Sequence, residues 1–185
     1  MDRELIMRRV TLTPIGWEDE KVLSMMKNFL SVLTDMDVNI GSGMEIPRYA
    51  YNQKRDQYHV ETILESLSFR HSGGDFILGV GDFDIYMKGY NFVFGHSNLI
   101  TGVGLMSTIR LWPSFYGEPD EKNLFRKRML TAATHEMGHL MGLFHCRNPG
   151  CVMNDSRSIS EMDSKSFDFC KSCLKAIEDR KFKKM

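Results

Sequence analysis

No cysteine occurs in the first 145 residues of this 185-residue chain, so no disulfide framework can staple the greater part of it. A chain of this length can bury a hydrophobic core without such help, and one compact unit is expected. Neither sign of charge is in excess: Lys plus Arg and Asp plus Glu each total 24. That balance removes the electrostatic draw toward nucleic acid or an acidic membrane. The one basic cluster, Arg180-Lys181-Phe182-Lys183-Lys184, reads as a solvated helix end. Long apolar runs are missing too. Met1 leads straight into Asp2-Arg3-Glu4-Leu5, and no stretch approaches the ~20 residues that span a bilayer, so the expected address is the cytoplasm. Repeats, low-complexity tracts and linkers are also lacking, which argues against a second domain. Gly79-Val80-Gly81 lacks the third glycine and following helix of a dinucleotide-binding loop.

What the chain does contain is periodic. Residues 6–12 have strand composition and reach an exit at Thr13-Pro14. From Trp17 to Met36, Val22, Met25, Met26, Phe29, Leu33 and Met36 recur at helical steps behind the acids Glu18, Asp19 and Glu20. A short strand is expected near Val38–Ile40, and a second helix over 56–69 on the stripe Val60, Ile63, Leu64 and Leu67. Short apolar runs broken by glycine over 75–95 predict buried strands, and 100–112 one more strand or a strand pair. A third helix should start near Glu121, its Ala132-Ala133 pair allowing close packing on the sheet. A last helix should begin around Cys170. Ser158 or Ser160 is placed to cap a short turn before it. The 14 methionines read as packing, Met153 excepted. His59, His71 and His96 stand isolated and are not assigned to a site.

The third helix runs into His135-Glu136-Met137-Gly138-His139-Leu140-Met141-Gly142-Leu143-Phe144-His145. Four residues apart on a helix, His135 and His139 are separated by about 6 Å of rise and ~40° of rotation, so both imidazoles can reach one metal ion. Glu136 is not needed as a ligand, and its carboxylate is free to take a proton from a water at the open coordination position; it is the general-base candidate. On a continued helix His145 would point ~240° around the axis, away from the ion. Gly142 can adopt the left-handed conformation that ends a helix and brings His145 back as third ligand. Three histidines on zinc leave a fourth position open, the arrangement of a catalytic site.

All four cysteines follow this motif, as Cys146-x4-Cys151 and Cys170-x2-Cys173. In a reducing compartment two close pairs at ligand spacing favour a four-thiolate structural zinc over disulfides or unmetallated thiols. Such a knot, starting beside His145, would pin the C-terminal segment beneath the first metal, and its loss should loosen the third histidine. The expected division is 1–142 as an N-terminal subdomain and 143–185 as a C-terminal subdomain carrying the knot.

HExxHxxGxxH is the metzincin signature, and the cysteine that follows the third histidine, with Cys151-Val152-Met153 and Cys170-Lys171-Ser172-Cys173, resembles the archaemetzincins. Residues 49–58 and Asn91–Gly95 are similar to that family as well. The resemblance implies an α/β (α+β) zincin fold: a twisted, mainly parallel sheet with an antiparallel edge strand, a backing helix, an active-site helix and a small C-terminal part. It implies two zinc ions per chain, a catalytic one on His135, His139 and His145 and a structural one on Cys146, Cys151, Cys170 and Cys173. Glu136 would be the base and Met153 the Met-turn methionine. The edge strand would come from about residues 99 to 106 and line an extended peptide. Met153 comes only eight residues after His145, unlike the longer excursion of secreted metzincins, and no pro-segment is evident. The expected function is zinc-dependent peptide-bond hydrolysis by a monomer. The alternative is a catalytically silent, zinc-stabilised protein that binds peptides or partner segments.

Overall fold

The computed structural model describes residues 9–16, 19–70 and 75–183, with side chains as far as residue 179. Trp17, Glu18, His71 and the basic cluster's side chains fall outside that description. The elements in chain order are β1 (Arg9–Ile15), α1 (Glu20–Thr34), β2 (Asp37–Ile40), β3 (Tyr51–Asn52), β4 (Gln57–His59), α2 (Val60–Ser68), β5 (Phe76–Gly81), β6 (Ile85–Tyr86), β7 (Gly95–Asn98), β8 (Val103–Ser107), α3 (Lys122–Leu140), α4 (Ile159–Asp163) and α5 (Lys171–Lys183). Five strands form one sheet in the order β2-β1-β5-β8-β7, parallel except for the β7–β8 pair. β3, β4 and β6 form a small second sheet.

The central strand β5 is buried at every position, as a parallel strand covered on both faces must be. Its alternate residues divide the core. Leu78 and Val80 join Val10, Leu12 and Met106 beneath α1 and α3, while Ile77 joins Ile15, Val103 and Leu105 beneath α2. α1 begins where Asp19 accepts the amides of Lys21 and Val22 at 3.0 and 3.1 Å. α3 begins in the same way, with Glu121 accepting from Asn123 and Leu124. Ser158 caps α4 through the Glu161 amide at 3.2 Å, and Glu161 reaches back to the Arg157 amide at 2.6 Å. The buried Arg128 of α3 makes a two-pronged pair with Asp163 at 2.8 and 2.7 Å, tying α3 to α4.

Three expectations shift. The first strand continues through Pro14, which lies opposite Val80; β2 has already ended opposite Leu12, so the missing N–H costs no bond between β1 and β2. Helix α2 starts at Val60, since Gln57–His59 pair as strand with β3 and β6. The edge strand is β7 at 95–98, not 99–106. The chain reverses at 99–102, where the Asn98 side chain accepts the amides of Ile100 and Thr101 at 2.9 and 3.2 Å. Residues 103–107 then return as an interior strand between β5 and β7. No described helix is long and apolar enough to cross a membrane.

Candidate metal centre

His135 and His139 project from one face of α3. The helix ends just beyond them through two paired bonds, Gly142 N to the His139 carbonyl at 2.9 Å and Leu143 N to the Gly138 carbonyl at 2.8 Å. Gly142 holds φ +93°, the left-handed turn that an L side chain resists. The reversal returns His145 to the helix face, with ring centroids 5.3 Å from His135 and 4.9 Å from His139. One ligand atom from each of the three histidines lies within 4.8 Å of the others.

The hydrogen bonds settle which nitrogen faces inward. Nδ1 of His135 lies 2.8 Å from the Val152 carbonyl and Nδ1 of His139 lies 2.9 Å from the Leu143 carbonyl. Carbonyl oxygens only accept, so both Nδ1 atoms carry the proton and both Nε2 lone pairs are free. Those two Nε2 atoms face each other at 3.0 Å. Two lone pairs at that distance repel unless a cation lies between them, and tetrahedral zinc with ~2.0–2.1 Å bonds would set them about 3.3 Å apart. Burial and the neighbouring charges of His139 and Lys165 hold His135 well below the ordinary imidazole pKa; burial lowers His139 as well. Both effects favour the neutral ring that a metal requires.

The four cysteines are brought together with no disulfide among them. Their Sγ atoms all lie within 4.8 Å of one another, with Cys146 3.8 Å from Cys170 and Cys151 3.7 Å from Cys173. Tetrahedral zinc with ~2.3 Å bonds to sulfur gives a sulfur spacing of about 3.8 Å. The backbone N–H of Cys173 and neighbouring thiols lower Cys170 to about 7, whereas burial raises Cys151 and Cys173. The two clusters are joined through residues 146–154. Cys146 N donates to the Met153 carbonyl at 2.8 Å, and the Asn154 side chain donates to the Cys146 carbonyl at 2.9 Å. Met153 is fully buried, with its sulfur packed against Gly138 of α3.

Glu136 is 3% exposed, and its carboxylate accepts from Ser97 Oγ at 2.7 Å. Burial raises its pKa to about 8, against the opposing pull of the Ser97 hydrogen bond and the Lys165 charge. Glu136 and the three histidines line one cavity of about 220 Å³, walled on its apolar side by Met87, Tyr90, Val93 and Phe94.

The model of peptidase family M54 matches residues 4–179. The chain belongs to peptidase family M54. Among curated relatives of this peptidase are the archaemetzincins of Methanocaldococcus jannaschii, 39% identical over 95% of this chain and 96% of the relative, and of Pyrococcus furiosus, 38% identical over 92% and 93%. The crystal structure of archaemetzincin from Methanopyrus kandleri superposes with a TM-score of 0.82 at 28% identity, covering 96% of each chain. The peptidase is therefore a zinc metallopeptidase of mixed α/β fold that acts on peptide or protein substrates.

Several residues of this peptidase's cleft carry no signal in the sequence. His96, read as an isolated histidine, lines the same cavity, and burial lowers its pKa. Ser97 reaches Glu136 from a strand 39 positions away. Gly95 lies so close to the Glu136 side chain that a Cβ would fall 2.7 Å from its Cδ and 2.8 Å from its Cγ. Lys165, 3% exposed, also lines the cavity; its ammonium donates to the Val152 and Asn154 carbonyls at 2.9 and 2.6 Å.

Proposed function

We propose that His135, His139 and His145 hold the catalytic zinc, that Cys146, Cys151, Cys170 and Cys173 hold a second, structural zinc, and that Glu136 is the general base of peptide-bond hydrolysis. The observation that carries this reading is the convergence of two unprotonated Nε2 atoms at 3.0 Å in the cavity that also receives the Glu136 carboxylate. When bound there, zinc would supply Lewis-acid polarisation of the scissile carbonyl and lower the pKa of a coordinated water to about 7. Glu136 takes the proton of the attacking water and passes it to the leaving amine; burial raises its carboxyl in the metal-free chain, and the charge of a bound zinc would favour the ionised form that a base requires. Ser97 fixes one carboxylate oxygen during both transfers. β7, at the open edge of the sheet, offers backbone groups to an extended peptide.

In this reading residues 1–142 supply the sheet, the cleft and the active-site helix. Residues 143–185 supply the third histidine and the knot. The chain acts as a monomer in the cytoplasm, where thiols stay reduced and available to the metal. Glu136→Ala should retain two zinc ions by native mass spectrometry and lose hydrolysis of a peptide library. Undiminished hydrolysis would remove Glu136 from the mechanism. Peptide binding without cleavage by the zinc-loaded native protein would replace the enzyme reading with a binding one.

A further inference from the structure

Lys165 is a buried cation that forms no ion pair with any described carboxylate. Burying an ammonium costs several kcal/mol unless its donors are met, and stability alone would favour an apolar side chain here. Its two bonds go to one short turn. The Val152 carbonyl accepts the Lys165 ammonium at 2.9 Å and His135 Nδ1–H at 2.8 Å, while the Asn154 carbonyl accepts Lys165 at 2.6 Å. The turn has no strand or helix of its own, and its first residue is Cys151. Other bonds also hold it, among them Val152 N to the Asp168 carbonyl at 3.1 Å, Cys146 N to the Met153 carbonyl at 2.8 Å and Asn154 N to the Cys151 carbonyl at 2.9 Å, but none of these reaches the Val152 carbonyl.

We propose that Lys165 is a positioning residue for His135: by holding the Val152 carbonyl in place it orients the first histidine of the catalytic metal site and ties that ring to the four-cysteine cluster through Cys151. The proposal rests on the three-histidine and four-cysteine assignments above. Groups that orient a metal-binding histidine typically contribute ~10- to 100-fold in metal affinity. A side chain that merely fills the core would instead change stability and leave the two sites equally affected.

The test is cobalt(II) titration of metal-stripped Lys165→Met and Lys165→Arg against a competing chelator. Cobalt on four thiolates gives an intense sulfur-to-metal charge-transfer band that cobalt on three imidazoles lacks, so the sites are read separately. Lys165→Met should lose ~10- to 100-fold affinity at the histidines, keep native affinity at the cysteines and melt no lower than the native protein. Lys165→Arg, which keeps the donors, should recover most of the loss. Native affinity at both sites in Lys165→Met overturns the proposal, as does equal weakening of both sites with a lowered Tm. Should Lys165→Met not fold, Lys165→Gln replaces it, and failure of both to fold assigns the residue to stability alone. Native protein that binds no cobalt at the histidines would instead sink the functional reading itself.

Discussion

Replacing Gly95 by alanine tests the catalytic geometry at a β7 position where the added methyl meets Glu136 before any other side chain. The added methyl would sit 2.7 Å from Cδ and 2.8 Å from Cγ of Glu136, with Oε1 nearer still. Ordinary carbon contacts need at least ~3.5 Å, so the carboxylate must retreat by about 1 Å. Glu136 is enclosed and fixed by Ser97, so the retreat breaks its alignment with the histidine face. A displacement of that size costs on the order of 100-fold in rate, and complete loss of a general base ~100- to 10,000-fold. The accompanying overpacking should cost about 1–3 kcal/mol, or ~2–4 °C of Tm per kcal/mol in a chain of this size. The assay is steady-state hydrolysis of a cleavable peptide by zinc-loaded protein, with metal content and Tm measured in parallel. Gly150→Ala serves as the control, since its Cβ would meet only Asn148 Oδ1 at 3.7 Å. Native turnover by folded, zinc-loaded Gly95→Ala would refute the placement of Glu136 as base.

Ser97→Ala removes a donor that favours ionised Glu136, so the carboxyl stays protonated to higher pH; the acid limb of kcat/KM should move upward, as pH-rate profiles would record. In metal-free protein the folded pKa of Glu136, about 8 against an ordinary 4.5, contributes stability that is fully present below 4.5 and is lost as pH rises through 8. Glu136→Gln should therefore gain on the native protein in urea midpoint across that window, and a constant difference would contradict the raised pKa. Cys173→Ser should reduce zinc from two ions to one by native mass spectrometry and lower Tm, because Cys173 packs with Val152, Met153 and Phe169 beneath α3. Two retained ions would count against the four-cysteine assignment.

The two candidate metal clusters were legible because their geometry is local. A four-residue step aims His135 and His139 together, a glycine marks the helix end that returns His145, and close cysteine pairs have little use in a reduced chain other than a metal. Ser97, Gly95, His96 and Lys165 were not legible, because their partners come from other strands and loops. A serine 39 positions before a glutamate carries no periodicity that would link the two. The edge strand was misplaced because Leu99 and Ile100 look like strand interior. They are in fact exposed on a reversal set by the Asn98 side chain, and the small residues Gly95 and Ser97 that form the true edge have weak strand propensity.

The imidazole protons of His135 and His139 go to main-chain oxygens, not to acidic side chains. Acid cannot discharge a peptide oxygen in the range where carboxylates titrate, and no amino-acid exchange deletes one. The acceptors that orient the two rings are thus insensitive to lowered pH and to most point changes around them. What they do not tolerate is altered spacing: one residue gained or lost between Leu143 and Val152 would shift the carbonyl that His135 needs while leaving that of His139 in place.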